Sequence, residues 1–230
     1  MEKIQNKVFK SAELGTVYVA NKIKEEIVRK TQLNEKVVLG LSTGASPVSL
    51  YKELIRMHKE DGLSFKNVVT FNLDEYYPMS PSVIQSYTRF MNENLFDHID
   101  ILKENINVPS GTVELEEISK YCDDYEDKIN GYGGIDIQIL GIGRTGHIGF
   151  NEPGSGSRSF TRLVTLDKKT RRDASKDFKS IDNVPRKAIT MGVGTIFKSK
   201  RIYLLAWGEK KAGIIAKSIE GNITPLIPAT

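Results

Sequence analysis

Five short apolar runs divide the chain, and helical periodicity fills most of the intervals between them. "KVVLGL" (36–41), "NVVTFN" (67–72) and "IDIQILGIG" (135–143) are compact, the pattern of strands buried on both faces. "KAITMGVG" (187–194) and "RIYLLAWG" (201–208) predict two more. Apolar residues recur at helical spacing over about 12–29, 83–97, 114–130 and 209–220. A further helix is expected over 47–59, with Ser46 as its N-cap and Pro47 at its first position. Glu114, Glu116 and Glu117 suit the first turn of the 114–130 helix. Alternating strands and helices predict parallel pairing through right-handed crossovers. The expected fold class is therefore α/β: an open, mostly parallel, doubly wound sheet with helices on both faces, Rossmann-like. No internal repeat, low-complexity tract or linker interrupts the 230 residues, so one domain over 1–230 is expected.

Composition changes this picture little. Hydrophobic residues make up 39% and charged residues 27%, as in an ordinary globular protein. The net charge is +4, but the basic residues cluster only briefly, at 168–172 and 198–201. Such clusters suit an anionic small molecule or a solvated face, and no nucleic-acid partner is expected. Cys122 is the only cysteine, which excludes an intramolecular disulfide and a cysteine-based zinc site. Its helical context points to a packed thiol. "MEKIQNKVFK" has no apolar core, and no run of about 18 apolar residues exists to span a membrane. A cytoplasmic location without membrane partners is the expectation, and there the glycosylation pattern at Asn222-Ile223-Thr224 carries no meaning.

Ligands of open α/β sheets bind beyond the carboxyl ends of the strands. Four polar loops lie there: "STGASP", "LDEYY", "GRTGHIGFNEP" and "WGEKK". Thr43, Gly44, Ala45 and Ser46 stand between a strand and a helix N-terminus, where free N–H groups and the helix dipole favour an anion. A plain turn with a capping serine explains the same residues. The loop is neither a Walker loop nor a GxGxxG turn. Lys211 is a cation for the same anion, or an exposed lysine. Asp74 and Glu75 end a strand, where a carboxylate serves as a general base or caps the next turn. His147 stands between two glycines with Glu152 five residues on. It reads as a structural histidine or as an acid–base group; metal ligation lacks partners at ligand spacing. Nothing in the sequence calls for a metal or an organic cofactor.

"LSTGASP", "FNLDEYYP", "GIGRTGHIGFNEPGS", "ITMGVGT" and "WGEKKA", in this order from about Leu39 to Thr230, resemble the glucosamine-6-phosphate deaminase family. Five motifs in register make the resemblance specific. Galactosamine-6-phosphate isomerases and 6-phosphogluconolactonases share the phosphate loop and the glycine-histidine turn, but "FNEP" and "LDEY" point to the amino-sugar branch. The resemblance implies an enzyme that opens a sugar ring, isomerises aldose to ketose and releases ammonia, giving fructose 6-phosphate. It implies Asp74 as the base at C2, His147 as the residue handling the ring oxygen, and Glu152 as its carboxylate partner. Thr43, Gly44, Ala45, Ser46, Lys211 and Lys176 match phosphate-binding positions. The small-molecule partner implied is a sugar phosphate, and the assembly implied is a homo-oligomer.

Three positions depart from the family pattern. Thr145 stands where well-studied members carry an aspartate, and Lys176 where they carry an arginine. The chain stops at "PLIPAT" where relatives continue, which implies a truncated chain or a domain cut from a longer protein. Three other readings stand beside a glucosamine-6-phosphate deaminase. They are a galactosamine-6-phosphate deaminase or isomerase, a 6-phosphogluconolactonase, and a sugar-phosphate sensor without catalysis.

Overall fold

A computed structural model describes residues 4–230. Its main sheet contains β1 (Val37–Leu41), β2 (Val68–Asn72), β4 (Ile106–Asn107), β5 (Ile137–Gly141) and β8 (Arg201–Leu205), all parallel, in the order β4-β2-β1-β5-β8. Every residue of β1 and β2 is buried, as their uninterrupted apolar runs require. α1 (Ala12–Gln32) and α2 (Ala45–Asp61) cover one face through Val19, Ile23, Ile27, Leu50, Leu54 and Met57. These residues recur three or four apart, so each helix turns one apolar stripe to the sheet. α4 (Ile118–Gly131) covers the other face with Tyr125 and Ile129, where the short helix α6 (Val193–Phe197) adds Ile196. The doubly wound α/β architecture expected from the sequence is present.

A second, three-stranded antiparallel sheet was not expected. It orders β3 (Asp74–Tyr77), β7 (Lys187–Thr190) and β6 (Arg162–Thr165) as β3-β7-β6. The run at 187–194 is thus a strand as predicted, but its partners lie outside the parallel sheet. Leu73 joins the two sheets: its N–H donates to Leu41 of β1 at 2.9 Å and its carbonyl accepts from Met191 at 2.6 Å. Tyr76, Phe150, Leu166, Phe178, Val184 and Ala188 form a separate apolar cluster beneath this small sheet.

Several element ends move. The N-cap of α2 is Gly44, not Ser46, and no side chain caps it. Gly44 adopts φ +91°, a left-handed conformation that favours glycine, so the helix starts two residues earlier than Pro47 suggests. Glu116 and Glu117 lie in a 3₁₀ turn preceding α4. The helix expected over 83–97 is α3 (Tyr87–Asn94), capped by Ser86 and started by Glu75. α5 (Lys168–Ala174) follows β6, and α7 (Ala212–Glu220) follows a 3₁₀ turn at Glu209–Lys211. No helix of the described residues is long and apolar enough to cross a membrane.

Candidate active site

The strand order makes β1 and β5 neighbours whose connections leave in opposite directions: β1 leads toward β2, and β5 toward β8. Crevices open beyond the carboxyl ends of such a pair. The loop after β1 is 42–44, and the turn after β5 is 142–152. Their flanks lie close together: a methyl on Gly141, the last residue of β5, would stand 3.8 Å from the Ser46 side chain in the first turn of α2. Gly44 and Ala45 are exposed, Thr43 and Ser46 half-buried, so the N-terminal N–H groups of α2 face an open space. Trp207, past the end of β8, donates to the Ser46 carbonyl at 3.1 Å and holds the loop from the other side.

Asp74 opens β3 immediately after the Leu73 junction and is almost fully buried. The histidine turn folds directly over it. Gly149 adopts φ +55°, and a methyl there would stand 3.0 Å from Asp74 Oδ2 and 3.2 Å from Thr190 Oγ1. Thr190 is Asp74's cross-strand neighbour on β7 and accepts the Phe150 N–H at 3.2 Å. Burial first, then the adjacent Glu75 carboxylate, push Asp74 up to about 8, against the lowering effect of the Phe150 N–H. Glu75 points the other way. It accepts N–H groups from Tyr76, Tyr87 and Thr88, each at 3.0 Å, and starts α3. Of the two adjacent acids, Glu75 is therefore the capping residue, and Asp74 has no cation partner among the described residues.

His147 lies half-buried with Nδ1 2.9 Å from Thr145 Oγ1 and 3.5 Å from Glu152 Oε2. The other Glu152 oxygen accepts from the Thr170 hydroxyl of α5 at 2.5 Å. The imidazole lies flat against Gly143, where a methyl would come within 2.1 Å of Nε2 and Cε1. Burial lowers the His147 pKa, Glu152 opposes that, and Lys211 adds to it. Lys211 donates to the Ile142 carbonyl at 2.6 Å, which places its ammonium at the start of the histidine turn. Burial, then Arg144, lower the Lys211 pKa. Arg144 itself faces Asp173 of α5 at 3.7 Å.

The structure thus brings Asp74, His147 and Glu152 together around the 142–152 turn, with the 43–46 loop and Lys211 at its edge. Lys176 is exposed in the turn after α5, and no hydrogen bond or ion pair links it to the loop among the described residues. Sequence reasoning missed Tyr87. Its ring stacks on Phe150 of the histidine turn at 5.9 Å and 9°. Only its place at the start of a helix was legible. A cavity of about 350 Å³ opens beside Glu152, lined by Phe150, Gly154, Ser155, Ser159 and Arg162 among others.

Comparison with known proteins shows the family. The profile of the family described as glucosamine-6-phosphate isomerases/6-phosphogluconolactonase matches residues 11–230. The chain belongs to this family. A glucosamine-6-phosphate deaminase-like protein of Bacteroides thetaiotaomicron is 50% identical over the whole chain, which spans 35% of that protein's length. The glucosamine-6-phosphate deaminase of Thermoanaerobacter pseudethanolicus is 51% identical over 89% of this chain and 81% of its own. A solved structure of a monomeric glucosamine-6-phosphate deaminase superposes with a TM-score of 0.90 at 43% identity, covering 96% of this chain and 89% of that one. A 6-phosphogluconolactonase from Thermotoga maritima has a TM-score of 0.70 at 20% identity over 93% of this chain and 88% of that one, a likeness of fold alone.

Proposed function

We propose that the chain is the catalytic domain of a glucosamine-6-phosphate deaminase working in the cytoplasm. It converts glucosamine 6-phosphate and water to fructose 6-phosphate and ammonia. The observation that carries this reading is Asp74, a buried carboxylate with no cation partner among the described residues, against the Phe150 N–H of the turn that carries His147. Burying an unpaired carboxylate is costly, and a general base with a raised pKa is the chemistry that uses it. The sugar phosphate sits with its phosphate on the N–H groups of residues 43–46 and on Lys211. His147, oriented by Glu152, moves the proton between the C1 hydroxyl and the ring oxygen as the C1–O bond opens. Asp74 takes the C2 proton, giving an enolamine, and returns it at C1. The resulting imine at C2 is hydrolysed, water supplying the ketone oxygen and ammonia leaving.

A lactonase needs an activated water and has no use for a base at C2; a sensor needs the phosphate loop but not the buried acid. Lys176, exposed after α5, has no contact among the described residues that supports a place on the phosphate. A homo-oligomer receives no support, since the similar solved deaminase is described as monomeric. An ammonia-release assay on glucosamine 6-phosphate and galactosamine 6-phosphate, with 6-phosphogluconolactone as a third substrate, tests the proposal. Ammonia from the glucosamine ester, abolished by Asp74→Asn, is expected. Lactone hydrolysis alone, or tight binding of the amino sugars without ammonia, would overturn it.

A further inference from the structure

The three imidazoles of this chain differ in what their nitrogens touch. His58 Nδ1 lies 2.7 Å from the Leu63 carbonyl, and His98 Nε2 lies 2.9 Å from the Glu93 carbonyl. A carbonyl only accepts, so a neutral His58 carries its proton on Nδ1, which Asp100 Oδ1 also faces at 3.7 Å, and a neutral His98 carries its proton on Nε2. His147 Nδ1 faces two oxygens of different kinds. Thr145 Oγ1, at 2.9 Å, can donate or accept; Glu152 Oε2, at 3.5 Å, only accepts when ionised. Glu152 is held in place from behind by Thr170. His147 Nε2 has no hydrogen-bond partner among the described residues and lies along Gly143.

We propose that Thr145 is a positioning residue for ring opening: its hydroxyl accepts the Nδ1–H of His147 and holds the imidazole neutral, with Nε2 bare. The alternative, a hydroxyl proton donated to Nδ1, turns the nitrogen's lone pair toward the Glu152 carboxylate as well, and the two repel. With the proton on Nδ1, both oxygens attract it. Burial of the ring, aided by Lys211, favours the neutral form against Glu152, Asp173 and Asp167, which favour an imidazolium; Arg144 pairs with Asp173. A carboxylate at position 145 would add a negative charge 2.9 Å from Nδ1; threonine gives the same hydrogen bond without that charge. The inference rests on the deaminase reading for its purpose but not for its geometry.

Nitrogen-15 NMR of histidine-labelled protein without substrate reads the tautomer directly, because His58 and His98 serve as internal standards of opposite kind and His147→Asn assigns the third signal. His147 is expected to match His58. In Thr145→Val, an Nε2–H population is expected to appear, with kcat about tenfold lower, KM unchanged and Thr145→Ser restoring both. Thr145→Asp is expected to raise the imidazolium pKa and move the acid limb of the kcat profile to higher pH. A wild-type His147 signal matching His98, or a Val variant with an unchanged tautomer and pH profile, overturns the proposal. Absence of ammonia release from wild-type protein would instead sink the deaminase reading, leaving the NMR pattern to decide the tautomer.

Discussion

Replacing Gly143 with alanine probes the imidazole without touching it. Its Cβ would stand 2.1 Å from Nε2 and Cε1 of His147 and 2.4 Å from Cδ2. Carbon contacts are comfortable near ~3.5 Å, so the ring has to retreat by more than about 1 Å. That movement breaks the 2.9 Å contact with Thr145 and carries Nε2 away from the sugar. A misplacement of about 1 Å in a reacting group costs on the order of 100-fold in rate. Folding is spared, because Gly143 is not among the positive-φ glycines and the ring, 21% exposed, can swing outward. Gly141→Ala is the control: its Cβ meets Ser46 at an ordinary 3.8 Å. Steady-state ammonia release with thermal melts should show kcat down about 100-fold for Gly143→Ala, a melting temperature within a few degrees of wild type, and Gly141→Ala near normal. A folded Gly143→Ala protein with kcat within threefold of wild type would refute the role given to His147.

Asp74, raised to about 8 from an ordinary 3.8, keeps its proton in the folded state over a range where the unfolded chain has lost it. Its contribution to stability is complete below about pH 4 and is lost as pH rises toward 8, by up to ~1.4 kcal/mol per unit. Melts of wild type and Asp74→Asn from pH 5 to 8 should therefore diverge in favour of the variant, while kcat/KM of wild type climbs to a plateau above about pH 8. Lys211→Met should raise KM for the phosphorylated substrate tenfold or more, read against inorganic phosphate as competitor; an unchanged KM removes Lys211 from the phosphate site. At the opposite end of the sheet, Asp136 accepts from Lys30 at 2.7 Å, Lys200 at 2.8 Å and the Val38 N–H at 2.8 Å. Asp136→Ala leaves the buried Lys30 with only Glu35, 4.0 Å away, as a charge partner and should cost about 3–5 kcal/mol in urea unfolding, with kcat of the folded protein unaltered.

The parallel sheet was legible because its strands are buried on both faces, and continuous apolar runs such as "VVLGL" report that directly. The small sheet was hidden for the opposite reason. "DEYY" begins with two acids, and one of them, Glu75, turns back to start a helix. "RLVT" is only half-buried, so no periodicity marks it. The run at 187–190 looked like any core strand, since burial says nothing about which partner a strand chooses. In the site, Asp74, His147 and Glu152 were found by residue type and by resemblance, yet their proximity depends on the Leu73 junction. The replacement of Ser46 by Gly44 as helix cap shows how backbone conformation can override a good capping side chain. Tyr87 escaped because stacking on Phe150 is a tertiary event with no local signature.

The Leu73 junction sets a length. Its amide is bonded to Leu41, two residues before Thr43, and its own next neighbour is Asp74. The proposed anion loop and the proposed base are thus spaced by main-chain atoms rather than by adjustable side chains. Exchanging loop residues could retune which hydroxyl is favoured along a sugar. Accepting a substrate with one carbon more or fewer between ester and reacting centre would require the two sheets to be re-stitched, a change no single substitution supplies.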